Sequence, residues 1–185
     1  MATEATHTGA TDNYDLISRI NHWIIALAII MMTGVGFFLG RVMERGPEKA
    51  ALLGTHKAVG VLVLIYGLWR VGYRLAQGFK ADAAPMPAWQ ARAAHAVHWI
   101  LLAAILIMPV SGIAGSYFRG RATEVFGLFT IPAGPEIEVL SGAASATHDF
   151  MALILLAALL LHIGGALKHH LIDKDTTLLR MIGRA

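Results

Sequence analysis

The stretch HDFMALILLAALLLHIGGALK, His148 to Lys168, decides the architecture. Between Asp149 and Lys168 it holds no charged residue. A helix needs roughly 20 mostly apolar residues to cross a hydrocarbon layer about 30 Å thick, and this run supplies them. It also carries a histidine near each end. His148 and His162 are fourteen residues apart, nearly four turns, so they share a face at positions about 21 Å apart along the axis. One membrane helix thus presents imidazoles at two depths.

Two further stretches lack charge, between Arg19 and Arg41 and between Arg92 and Arg119. A fourth, from about Ala51 to Trp69, spans if His56 and Lys57 lie in its first turns and Lys57 snorkels to the interface. The composition agrees, with 56% hydrophobic and 15% charged residues in 185. A soluble domain could not cover that apolar surface with so few charges. The expected helices run from about Ile17 to Leu39, Ala50 to Ala76, Ala88 to Ser116 and Ala146 to Ile172. Arg41 to Lys49 reads as a short outer loop and Gln77 to Pro87 as an inner linker. Phe118 to Ser145 reads as a longer outer segment, with Val125 to Ile131 as a short interfacial helix or an extended piece. Residues 1–13 read as a polar tail without the basic start and apolar run of a cleaved signal peptide, and residues 14–185 as one transmembrane domain. The fold class is an all-α membrane protein, a four-transmembrane-helix bundle.

Absence of cysteine excludes disulfides, thiolate metal sites, iron–sulfur clusters and covalently attached c-type haem. The net charge of +3 gives no argument for nucleic acid; in a membrane protein basic residues report orientation. With four spans both termini share one side. That side holds nine of the fifteen Lys and Arg residues and the other holds six, a modest bias towards both termini on the cytoplasmic side.

The chemistry lies in the histidines. Of nine, all but His7 fall within or beside a span. Ionisable groups in a membrane are costly and face an interior partner or a cofactor. At the outer side, His56 early in the second helix matches His148 early in the fourth. At the inner side, His162 can be met by His22 on the first helix or, equally well by depth, by His98 on the third. A haem held between two imidazoles has both axial positions filled and moves single electrons without an open iron site. His95 and His98, one turn apart, are suited to hydrogen bonds in the bundle or to a haem propionate. Pro109, with Gly112 and Gly115 behind it, reads as a packing kink or as room for a cofactor ring.

These motifs together resemble the bacterial cytochrome b561 family of four-helix, di-haem membrane cytochromes. They are R-I-N-H-W at Arg19 to Trp23, H-K-A-V-G at His56 to Gly60, W-R-V-G-Y-R at Trp69 to Arg74, A-H-A-V-H at Ala94 to His98, P-V-S-G at Pro109 to Gly112, and T-H-D, L-H-I-G-G-A-L-K-H-H and K-D-T-T-L-L-R-M on and after the fourth helix. The resemblance implies two haem b groups with iron ligands His22, His56, His148 and His162, paired His56/His148 outside and His22/His162 inside. Within the family the chain resembles superoxide oxidases, also through Arg119 and Gly120. This implies electrons taken from superoxide at the outer face, oxygen released, and ubiquinone reduced in the membrane. The longer polar N-terminus and the outer loops depart from that pattern.

Other residues take roles within this frame. Lys57, Arg119 and Arg121 are placed to draw an anionic donor or to bind propionates, and Arg70 and Arg74 to bind propionates or anchor the helix. His169, by resemblance, donates a proton to reduced quinone. Trp23, Trp69, Trp89 and Trp99 form an interfacial belt, and Trp23 and Trp99 can frame a quinone pocket. The expected partners are the lipid bilayer, superoxide and ubiquinone, with no nucleic acid and no obligatory protein partner. The competing functions are a cytochrome b subunit relaying electrons between a dehydrogenase or hydrogenase and quinone, and a non-redox, histidine-based metal-handling membrane protein.

Overall fold

The computed structural model describes residues 13–185; all but the last residue of the expected tail, and His7 with it, lies outside the described residues. Four long helices carry the chain: α1 (Leu16–Arg41), α2 (Pro47–Gln77), α3 (Ala88–Tyr117) and α4 (Glu138–Lys168). A hairpin of β1 (Thr123–Val125) and β2 (Phe129–Ile131) follows α3. A single π-turn, His169–Asp173, ends α4, and the short α5 (Thr177–Ile182) closes the chain. All four long helices are apolar and long enough to cross a membrane. Large side chains such as Leu27, Met31, Leu160 and Leu161 point outward and are more than half exposed, as a lipid-facing surface requires.

The local causes are legible. Asp15 caps α1, its carboxylate accepting the Ser18 N–H at 2.8 Å, which satisfies a donor the helix start leaves free. Proline at the first position of α2 costs no hydrogen bond there. The core joins Ile25 and Ile29 of α1, Val63 of α2, Leu102, Ala104 and Ile105 of α3 and Leu155 of α4. Gly67 lets α2 approach α3: a Cβ there would lie 2.5 Å from Ile105 Cγ2.

The fourth helix starts eight residues earlier than the sequence reading placed it. Ala144 and Ser145 lie against Gly115 of α3, where an added Cβ would be 3.3 Å from Ser145 Oγ. That close approach gives the Gly- and Ser-containing first turns of α4 a surface to pack on, so tertiary packing overrides weak helix propensity. The Val125–Ile131 segment takes the extended alternative. Val125 and Thr123 are buried on one side of the hairpin, and Phe126 (φ 50°) and Gly127 (φ 72°) form its turn, with positive φ at both central positions as a tight hairpin turn demands.

The inner end is tied together by segments far apart in sequence. Tyr14 N–H donates to the Arg180 carbonyl at 3.1 Å. Lys80 Nζ donates to the Asn13 carbonyl at 2.6 Å, and Arg180 to the Ala81 carbonyl at 2.7 Å. The start of the described chain, the linker between α2 and α3, and the C-terminus therefore share one end of the bundle.

The Asp15 cap makes a pH prediction. Burial works to raise this carboxyl, but the Ser18 donors and the Tyr73 hydroxyl outweigh it and hold the group at about 2, below its ordinary 3.8. A depressed folded-state value means the stabilisation is complete above 3.8 and is lost as pH falls through about 2. Asp15→Ala is expected to remove ~1 kcal/mol at neutral pH and to flatten that acid dependence. Amide exchange at Ser18 across pH 5 to about 2 checks it; identical pH profiles for both proteins would refute it.

Candidate functional site

Two histidine pairs stand across the bundle. His56 of α2 faces His148 of α4 with ring centroids 6.4 Å apart, and His22 of α1 faces His162 of α4 at 6.0 Å. Two imidazoles bound to opposite sides of one metal, with bonds of about 2 Å and a ring radius of about 1 Å on each side, would place their centroids roughly 6 Å apart. Both pairs have that spacing.

The outer pair lines a cavity of about 670 Å³, within the range of roughly 300–1,000 Å³ usual for cofactor pockets. His148 is oriented for ligation. Its Nδ1 lies 2.9 Å from the Met108 carbonyl and 3.1 Å from Ser111 Oγ. A carbonyl only accepts, so Nδ1 carries the proton and Nε2 is left with its lone pair, the arrangement metal-bound histidines adopt. The Ser111 hydroxyl donates to the same carbonyl at 2.9 Å. His56 Nδ1 is buried and finds no hydrogen-bond partner. The residues fit a group that binds two imidazoles.

Glycines shape the outer site. A Cβ at Gly112 would lie 3.2 Å from His148 Cε1 and 3.3 Å from its Nδ1, and one at Gly36 would lie 3.5 Å from His56 Cε1. The room beside Gly112 is thus taken by the histidine side chain itself. The sequence reading noticed P-V-S-G for its space but missed that Ser111 and the Met108 carbonyl orient His148. The available signal was a polar residue two positions after Pro109, on a helix that packs against the histidine-bearing α4.

Cations surround the outer cavity. Arg41, Lys49, Lys57, Arg119 and Arg121 line it, against the single acid Asp149. Lys57 is held at the wall, donating to Ser116 Oγ at 2.9 Å and to the Ala122 carbonyl at 2.8 Å. Arg119 donates to Ser145 Oγ at 2.5 Å.

At the inner end His98 also approaches His162, at 5.4 Å, but Phe79 stacks on it at 5.8 Å with an interplanar angle of 12°. His95 meets the edge of the same Phe79. Arg74 is engaged, donating to the Gly78 carbonyl at 3.0 Å and lying over the Tyr14 and Phe79 rings. Arg70 is buried, and its Nε and Nη1 find no partner. Both nitrogens of His169 are used: Nδ1 lies 2.6 Å from Asp175 Oδ2 and Nε2 lies 3.2 Å from Gln90 Nε2. Burial works to raise the Asp175 carboxyl, but bonds from Thr177 and His169 keep it below its ordinary value. His170 is exposed. The four tryptophans are about half exposed or more, as an interfacial belt would be. Trp23 also walls a groove of about 380 Å³ between α1 and α5, its Nε1 donating to the Met181 carbonyl at 3.3 Å.

The family model for prokaryotic cytochrome b561 matches residues 13–184. Cytochrome b561 homolog 2 of Escherichia coli (strain K12) is 31% identical over 96% of this chain and 95% of its own. Cytochrome b561 homolog 1 of the same organism is 31% identical over 88% of this chain and 93% of its own. A probable superoxide oxidase, CybB of Yersinia pestis, is 26% identical over 87% of this chain and 90% of its own. Four membrane-spanning helices, two histidine pairs and a match along nearly the whole chain have one meaning: this bacterial membrane protein belongs to the prokaryotic cytochrome b561 family of haem b electron-transfer proteins.

Proposed function

We propose that the chain holds two haem b groups, one between His56 and His148 at the outer side and one between His22 and His162 at the inner side, and that it oxidises superoxide outside and reduces ubiquinone within the membrane. When bound, such haems supply single-electron transfer without an open coordination site. The observation that carries the choice of donor is the cation-lined outer cavity. Five basic residues against one acid, set beside low-dielectric walls, focus a positive potential on a small anion and raise its encounter rate. Lys57, fixed by Ser116 and Ala122, holds its charge next to His56, and Arg119 and Arg121 stand further out as steering or propionate-binding groups.

At the inner side, Arg70 and Arg74 border His22 and serve as propionate contacts, Arg70 with its free donors more directly than Arg74. The groove beside Trp23 suits an apolar quinone, since the Trp23 ring packs edge-on against His22 at 5.2 Å. His169, its Nδ1 held by Asp175, delivers a proton at this face from Nε2 once Gln90 is released from that nitrogen. The overall reaction balances: two superoxide anions give two electrons and two molecules of oxygen, and one quinone takes those electrons and two protons. The charge distribution of the sequence supports a cytoplasmic position for both termini in the inner membrane.

The test is absorbance spectroscopy and haem counting on the purified chain, before and after superoxide, with and without ubiquinone. Two haems per chain that reduce with superoxide and reoxidise with quinone are expected. Two haems indifferent to superoxide would move the function to that of a cytochrome subunit served by a dehydrogenase or hydrogenase. Absence of haem would leave a histidine-based metal-handling role.

A further inference from the structure

The inner end of α1 holds a set of buried polar groups that nothing in the fold satisfies. Ser18, Asn21, Ile25 and Ile29 fall on one face of the helix, and all four are buried. Asn21 is 0% exposed, yet neither its amide oxygen nor its amide nitrogen has a hydrogen-bond partner. Arg70 of α2 is 6% exposed, with Nε and Nη1 unpartnered. Buried polar groups are almost always hydrogen-bonded, and a buried charge is paired. Two such residues together are the imprint of a missing partner.

They lie at one level of the bundle. Tyr73 of α2 donates to Asp15 at 2.9 Å, which pins the end of α2 to the start of α1. These helices run antiparallel, and Arg70, one turn back along α2, reaches the level of the first turns of α1. Arg70 is also among the charged neighbours of His22. The titratable groups around Arg70 are Arg74, Tyr66 and Tyr14, and among the described residues no carboxylate pairs with it. A guanidinium buried this way calls for an anion. The Asn21 side-chain NH2 is a donor beside the guanidinium, which suits a carboxylate, an acceptor only.

We infer that Asn21 and Arg70 form a buried carboxylate-binding site whose occupant is a propionate of the inner haem. This rests on the haem reading above and adds Asn21 to it. The site makes the inner haem's retention depend on its carboxylates, with Arg70 supplying the countercharge and Asn21 the directional bonds.

The experiment uses the full chain loaded with haem b or with haem b dimethyl ester, which lacks the carboxylates, and follows inner-haem release to excess apomyoglobin. In the haem b samples the outer haem reports whether the fold is intact. Asn21→Leu and Arg70→Met, which remove the polar groups while keeping bulk, are expected to speed inner-haem release about tenfold each and leave the outer haem alone. The ester form should leave the inner site of the unsubstituted chain equally fast, with no further loss in the variants. Release of haem b at the unsubstituted rate from both variants overturns the inference. So does ester haem held as firmly as haem b, which would assign the site to another anion, such as a lipid phosphate. A chain that takes up neither haem overturns the haem reading and this inference with it.

Discussion

His162→Ala is expected to purify with one haem in place of two and to lose quinone reduction by at least about 100-fold, since even the partners of metal ligands are worth 10–100-fold. His22→Ala should give the same spectrum, because either loss empties the same centre. The informative control is His98→Ala. His98 lies closer to His162 than His22 does, 5.4 Å against 6.0 Å between ring centroids, so proximity alone would nominate it. Its ring, however, is stacked on Phe79, and the longer His22 spacing is the one that leaves room for a metal bound on both sides. Both haems should remain in His98→Ala. One haem in His98→Ala and two in His22→Ala would reverse the pairing.

Gly112→Val should empty the outer site without touching a ligand. A Cβ at this position already sits 3.2 Å from His148 Cε1, so even alanine requires His148 to move by a few tenths of an ångström. Valine adds two methyl groups on a stiff, branched side chain and pushes the ring off the Met108 carbonyl that sets its tautomer. Retention of the outer haem is expected to fall by about 10–100-fold, the usual effect of disturbing a group that orients a metal ligand, while the inner haem stays. Gly112→Ala should keep both haems with a shifted outer potential. Gly36→Ala, at an ordinary contact distance of 3.5 Å from His56, should change little. Redox titration with haem counting separates these cases, and equal outer occupancy in Gly112→Val and the unsubstituted chain would defeat the argument.

Four spans were legible because a charge-free run of helical length has one stable fate in a bilayer. The depths of His56, His148, His22 and His162 were legible because the rise of a helix is constant. The start of α4 was not, because Glu138 to Ser145 becomes helical through contact with Gly115, a residue of another helix. Nor was the division of labour among the basic residues: Arg70 and Arg74 look alike one turn apart, yet Arg74 caps its own helix while Arg70 is left buried and unpartnered.

By itself, then, the sequence determined the membrane, the number of helices and the two levels at which histidines face each other, all consequences of local composition and helical period. Only the tertiary structure decided which nitrogen of His148 carries its proton, where Phe79 takes up His98, and that the Asn21 side chain lies buried without partners. Those outcomes depend on which side chains of different helices meet, and no spacing along one chain segment encodes that.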